Sequence, residues 1–196
     1  MKRVFSLFAI IAVMSVPCWA QDKAAAETKD KPVAAKAHEV KLADGGLVMQ
    51  APGNWEKVEP KSSMIEAEFA VPKLDADTAN GRVTMMASGG SIEQNIERWY
   101  GQFTQPDGKE TKEVAKIEVK EVNKMKIHMV DISGTFLDTM GNPAGPKTDR
   151  DDYRMLAAIV ESPSGNYYLK CYGPAATMKQ NAEGFAKMIE SVRAVD

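Results

Sequence analysis

The sequence predicts an α+β sandwich, with a mainly antiparallel sheet of about six to seven strands flanked by two main helices. Three observations lead there. Several stretches alternate apolar and polar residues, two others repeat apolar residues at helical spacing, and the links between successive strands are short.

The elements follow in chain order. Leu47, Met49 and Ala51 alternate with Val48 and Gln50, and Pro52-Gly53 closes this strand ahead of Trp55. Ile65, Ala67, Phe69 and Val71 alternate with Met64, Glu66, Glu68 and Ala70, and Pro72 ends the run. Val83, Met85 and Ala87 make a third strand. Ser91 and Gln94 form an S-x-x-Q capping box, and Ile92, Ile96, Trp99, Tyr100 and Phe103 lie on one helical stripe behind it. Ala115, Ile117 and Val119 alternate with Val114, Lys116, Glu118 and Lys120. Asn123-Lys124 then turns the chain into a long strand from Met125 to Phe136. The Lys/Glu alternation between Lys109 and Lys126 reads as a solvated sheet face that guards against edge pairing. Tyr153 to Glu161 and Tyr167 to Tyr172 flank Ser162-Pro163-Ser164-Gly165-Asn166 and pair as a hairpin. Gly173-Pro174 stops that strand. Thr177 with Gln180 caps a last helix whose Met178, Ala182, Phe185, Met188, Ile189 and Val192 share one face.

At 196 residues, with 44% hydrophobic and 27% charged, the composition is that of one ordinary soluble domain. Its N-terminus carries an address. Lys2 and Arg3 precede the apolar run Val4 to Val16, Pro17 breaks it, and Cys18-Trp19-Ala20 puts small residues at −3 and −1 of a cut before Gln21. Residues 1–20 are therefore expected to be a secretory signal peptide. As a helix the run would rise only about 20 Å, short of a ~30 Å hydrocarbon core, so no stable membrane insertion is expected. Ser15 and Pro17 do not make a lipobox around Cys18. The short basic region points to export in a bacterium, to the periplasm or the exterior.

Residues 21–37 are Ala-rich, mixed in charge and carry Val33 as their one large apolar side chain, so they read as a flexible tether. The domain then occupies 38–196. Removal of the leader leaves 23 basic against 27 acidic residues, a balance without the basic footprint of a nucleic-acid binder. It also leaves Cys171 alone, so no internal disulfide can form; alternating with Tyr167 and Leu169, it reads as a buried strand position.

Five phrases then carry a family resemblance: LVMQAPGNW, IEAEFAVP, WYGQF, YYLKCYGP, and a closing helix that ends FAKMIESV. With the element order, they make the chain similar to the PsbP-like α/β sandwich. That family includes the extrinsic photosystem II subunit and a nuclear-import factor that binds the Ran GTPase. The resemblance covers about residues 40–193. It implies the fold and assigns no site residue.

Chemistry is sparse. The chain holds no G-x-S-x-G, P-loop, H-E-x-x-H or C-x-x-C motif. Its two histidines are His38, at the edge of the tether, and His128, a solvated strand position beside Lys126. Met125, His128 and Met129 offer soft or borderline ligands, but strand alternation sets His128 on the opposite face from the methionines. The Asp75–Gly81 loop opens like an EF-hand and then slips register, with Met86 at its twelfth position. Ser88-Gly89-Gly90-Ser91 is accounted for by a tight turn and a cap. No metal or cofactor is expected. Asp131, on the face of Ile127 and Met129, is a possible buried acid that needs an arginine partner, with Arg82, Arg98 and Arg154 as candidates.

The segment from Asp138 to Asp152 exceeds the usual hairpin loop of about 2–5 residues. Its Gly and Pro residues preclude regular structure, and Asp149, Arg150, Asp151 and Asp152 place both charge signs just before Tyr153. These five residues, with Tyr100 nearby, form the candidate binding surface for an unidentified protein or small polar ligand. The function expected is a non-enzymatic exported binding or accessory domain, with no catalytic residue assigned. Two alternatives stand beside it: a carboxylate-dependent enzyme using Asp131 with Asp151 or Asp152, and a periplasmic metal-binding protein.

Overall fold

A computed structural model of the chain describes residues 35–139 and 145–195. They contain a main sheet of eight strands, all antiparallel, and a second sheet of three. The main sheet is built from β3 (Glu56–Val58), β4 (Ala67–Val71), β5 (Gly81–Ala87), β10 (Gly165–Pro174), β9 (Thr148–Ser162), β8 (Met125–Asp138) and β6 (Phe103–Thr104), in that spatial order. β7 (Lys116–Val122) also pairs with β8. The small sheet orders β1 (His38–Leu42), β2 (Leu47–Ala51) and β11 (Arg193–Ala194). Two main helices, α1 (Ile92–Tyr100) and α3 (Ala175–Glu190), and the four-residue α2 (Thr111–Val114) complete the set.

The expected class stands, with one addition. The strand expected over Leu47–Ala51 belongs to the small sheet, and α3 is sandwiched between that sheet and β9 and β10. Both faces of the main sheet are thereby occupied, which local alternation could not distinguish from one. On the α3 side, Leu47, Met49, Trp55, Phe69, Val83, Met85, Leu169, Cys171, Phe185 and Ile189 form one continuous core. On the α1 side, Ile96, Trp99, Phe103, Val130, Ile132, Met155, Ile159 and Tyr168 form another.

Local chemistry accounts for the boundaries. Ser91 and Gln94 make the reciprocal capping box of α1. Tyr100 ends that helix, so Phe103 lies in β6 rather than on the helical stripe. Asn123 and Lys124 both take positive φ, 49° and 66°, as a two-residue turn between β7 and β8 requires. The hairpin between β9 and β10 is tighter than expected: Ser162 pairs with Gly165, and only Pro163 and Ser164 are left in the loop. α3 starts at Ala175 without a side-chain cap from its own N-terminal residue. Instead, Asp77 accepts hydrogen bonds from the Thr177 backbone N–H and hydroxyl. The Asp75–Gly81 loop thus supplies an anion to a helix N-terminus, and the expected Thr177–Gln180 cap is not formed.

The expected long loop 138–152 is also corrected. Leu137 pairs with Asp149 and Phe136 with Arg150, so Thr148 to Asp152 are the first residues of β9; residues 140–144 lie outside the described residues. A β-bulge between Gly134 and Phe136 displaces the register, with Asp152 at φ 53°. Gly134 is needed there. Its φ is +152°, and a Cβ would stand 2.6 Å from the Thr104 carbonyl oxygen. Beyond the bulge, the β8–β9 ladder continues as an arm, flanked by β6 on the other side of β8 at Thr135 and Phe136, and Thr148 to Asp152 are exposed.

Candidate functional site

The α1 side of the sheet is unevenly covered. α1 packs over the middle, where Trp99 meets Tyr168 edge-on at 6.2 Å and Asn95 Nδ2 donates to the Tyr168 hydroxyl at 3.0 Å. On the flank formed by β4, β5 and β10, Arg82, Lys170 and Tyr172 stay half-buried. Strand register puts Glu68, Thr84 and Lys170 in one cross-strand row, and Ala70, Arg82 and Tyr172 in the next.

These rows form a polar network. Arg82 grips Glu68 in a bidentate pair, Nε to Oε1 at 2.7 Å and Nη2 to Oε2 at 3.0 Å, and its Nη1 donates to the Tyr172 hydroxyl at 3.0 Å. Glu68 is only 4% exposed, and Arg82 satisfies the buried carboxylate. The hydrogen bonds it donates to Glu68 hold the guanidinium above its ordinary range, although burial opposes this. Burial pushes the Tyr172 hydroxyl up, with Arg82 pulling the other way.

Lys170 Nζ donates to Gln102 Oε1 at 2.6 Å and sits 5.1 Å from the centre of the Tyr172 ring. Among the described residues no carboxylate pairs with it. Burial, and then repulsion from Arg82, draw its ammonium down to about 8. Around Tyr172, then, Arg82 is paired with Glu68, while Lys170 rests on the neutral Gln102 side chain.

An aromatic cluster joins this network to the arm beyond the bulge. Phe136 stacks on Tyr153 at 5.9 Å, and lies 5.1 Å from Tyr172 and 5.3 Å from Phe103. Arg150 and Asp138 approach to 3.5 Å at the base of the arm, and the Asp138 charge reaches the Tyr153 and Tyr172 hydroxyls.

The sequence-predicted residues are divided by this arrangement. Tyr153 lies within the aromatic cluster, with Arg150 beside it through Asp138. Asp149, Asp151 and Asp152 are exposed on the arm, where Asp151 accepts a hydrogen bond from the Thr135 hydroxyl at 2.8 Å. Tyr100 ends α1 and lines a separate groove with Phe103, Gln105 and Thr111. Asp131 points to the opposite face. There Arg154 holds it through two 2.8 Å hydrogen bonds, and the two side chains are 27% and 22% exposed. Asp131 therefore has one of the three arginine partners foreseen, and it is half-buried rather than sealed. No hydrogen bond brings it together with Asp151 or Asp152.

His128 is not the solvated residue expected; it is 12% exposed, with Nε2 2.8 Å from Glu161 Oε1. Met125 and Met129 pack on the α3-side core, and Cys171 lies 3.6 Å from the Met178 sulfur, its thiol pushed up to about 12 by burial. Among the described residues, no three His, Cys, Asp or Glu side chains are grouped to hold a metal.

Sequence reasoning missed Glu68, Lys170, Tyr172 and Gln102 as site residues, and considered Arg82 only as a partner for Asp131. One signal was present. Lys170 shares its strand face with Tyr168 and Tyr172 while Leu169 and Cys171 face the other way, so the lysine sits in a strand apolar on both sides.

No protein-family model matches this chain, and no curated protein does. Solved structures match it in fold. The solution structure of cyanobacterial PsbP (CyanoP) from Synechocystis aligns with a TM-score of 0.50 at 11% identity, over 82% of this chain and 94% of that one. The chain has a PsbP-like fold. The Ran-binding protein Mog1p of Saccharomyces cerevisiae aligns at 0.45 and 9% identity, over 83% of this chain and 97% of that one. LpqN, involved in cell envelope biogenesis of Mycobacterium tuberculosis, aligns at 0.46 and 9%, over 82% and 91%. At these identities the likeness concerns the fold alone. No helix among the described residues is long and apolar enough to cross a membrane.

Proposed function

We propose that this protein is an exported, non-enzymatic binding or accessory domain that recognises an acidic group of a partner protein or small polar ligand. Its recognition surface is the half-covered flank of the main sheet. Arg82, Lys170 and Tyr172 form the centre; Tyr153 and the Arg150–Asp138 pair form the rim. One observation carries the reading: a lysine without a carboxylate partner beside an arginine that already holds Glu68, so one positive charge is left over at a partly desolvated place. An incoming carboxylate or phosphate would supply the missing counter-charge, and the Tyr172 and Tyr153 rings would give it an apolar border. The n-region, apolar run and cleavage pattern of residues 1–20 support export, and residues 21–37 are read as the tether that spaces the domain from whatever it is delivered to.

The mature chain from Gln21, tagged at its C-terminus, tests this by capture of partners from its native envelope. Arg82→Met combined with Lys170→Met is expected to lose the specific partners while circular dichroism and thermal unfolding show an intact fold. Unchanged partners would overturn the assignment of the site. If neutralising Asp149, Asp151 and Asp152 to Asn abolishes capture and the double variant does not, recognition belongs to the arm. Amino-terminal sequencing of the exported protein is expected to begin at Gln21.

A further inference from the structure

We infer that the outer edge of β7 is a self-association surface, on which a second copy of this chain pairs antiparallel to extend the main sheet. β7 bonds to β8 on one side, and among the described residues no other strand pairs with it. Of the five large hydrophobic side chains exposed among the described residues, three fall in β7 or just before it: Val114 at 38%, Ile117 at 49% and Val119 at 51%. Ile117 and Val119 face the α1 side, in register with the buried Val130 and with His128, beyond the reach of the helix. An unpaired edge carrying a short apolar row is a template for another strand.

The charges specify which strand. Two identical antiparallel strands related by a two-fold axis can pair only in registers centred on a residue. Centred on Val119, the register sets Val119 against Val119 of the second copy. It also sets Glu118 against Lys120 of the second copy, twice by symmetry, and Ile117 beside the aliphatic stem of Glu121. Centred on Glu118, the register opposes two glutamates and sets Lys116 against Lys120; centred on Lys120, it opposes two lysines. Opposite charges across a ladder favour pairing and like charges disfavour it, so the Lys/Glu alternation admits the Val119 register and rejects its neighbours. The same alternation still repels unrelated acidic or basic edges. Lys120 keeps its intrachain neighbour Glu190 at a loose 3.8 Å, which leaves the ammonium able to swing to a second carboxylate. A seven-residue ladder is smaller than a standard interface of about 1,200–2,000 Å², so the dimer is weak and concentration-dependent.

Sedimentation velocity and equilibrium on the mature chain, up to about 1 mM, test this. The expected result is a reversible monomer–dimer equilibrium, weakened about tenfold or more by Glu118→Lys alone and by Lys120→Glu alone. Mixing those two variants in equal amounts is expected to restore association, because each lysine then faces a glutamate in both pairs. Every substitution is on an exposed or half-exposed edge position, and circular dichroism with the unfolding midpoint verifies the fold of each variant. A wild-type chain that stays monomeric throughout, or a dimer that neither charge variant weakens and the mixture does not restore, overturns the inference.

Discussion

The two faces of the main sheet are built differently. On the α3 side the sheet is covered by a sixteen-residue helix and then by a second sheet, and Met49, Met85, Leu169, Cys171 and Met188 are fully buried there. On the α1 side a nine-residue helix covers the middle, leaving a half-buried cation network on one flank and an exposed apolar edge on the other. Cys171 is a buried free thiol, so among the described residues it is the packing of the sealed face, without a disulfide, that holds the fold together. The open face is where charge and apolar surface remain available to partners. On the proposed assignment, stability and recognition are divided between two sides of one sheet, and substitutions on each side should separate them.

The largest effect is expected on the sealed face. Phe185, 1% exposed, fills the space between α3 and the sheet, and truncation removes buried area and leaves a cavity. Phe185→Ala should cost about 3–5 kcal/mol, seen as a lower urea midpoint at unchanged slope. It should leave the charge-dependent association of β7 intact under conditions where the variant is still folded. A loss below about 1 kcal/mol would mean that the core is looser than its burial implies and would remove the contrast.

An intermediate effect, of opposite sign, is expected at Lys170. Its ammonium is drawn down to about 8, with burial as the first cause and Arg82 as the second. A lysine harder to protonate in the folded chain penalises folding wherever it is charged. The penalty is complete below about pH 8, shrinks as pH rises, and is gone above the unfolded value near 10.5. Stability of the wild type relative to Lys170→Met should therefore climb between about pH 8 and 10.5, by roughly 1–2 kcal/mol. Lys170→Met should be as stable as the wild type or more so at pH 7. A flat difference across that window would show that the ammonium is well hydrated, and the reading of this flank as a recognition surface would lose its basis.

How much of this was legible in the sequence follows the same division. The sealed face was largely readable, because Phe69, Val83, Met85, Leu169, Phe185 and Ile189 repeat with the periods of strand and helix. What periodicity cannot report is the coverage of the second face. The partners of Glu68 and Lys170 come from elsewhere in the chain: a guanidinium fourteen residues away and Gln102, between α1 and β6. The Asp75–Gly81 loop matched only the opening of an EF-hand and was otherwise unassigned, and only tertiary placement puts Asp77 at the start of α3. β8 ends at Asp138 and β9 starts at Thr148, but the Gly and Pro residues in that stretch of sequence hid the strand character of Thr148 to Asp152, whose pairing is supplied by β8. Asp131 was the better case. Its need for an arginine followed from its position alone, and Arg154 was among the candidates.

The smallest effect is expected where the open face meets solvent at the other end of the same strands. Glu161 bonds to His128 at 2.8 Å and has Lys126 at 3.5 Å, and its carboxyl lies below the ordinary glutamate range, chiefly because of the His128 hydrogen bond. A lowered folded value means that the pair stabilises the fold above the unfolded pKa and that the contribution disappears as pH falls through the folded one. Glu161 is 36% exposed, so water and salt screen the gain to a few tenths of a kcal/mol. Glu161→Gln should thus be slightly less stable than the wild type at pH 7 and indistinguishable from it near pH 3, with the difference reduced by 0.5 M salt. Were the difference instead larger than the Lys170 effect and insensitive to salt, His128 and Glu161 would form a desolvated pair. The α1 side would then be sealed at that end as thoroughly as the α3 side, because only exclusion of water makes one such pair outweigh the burial of an unpaired ammonium.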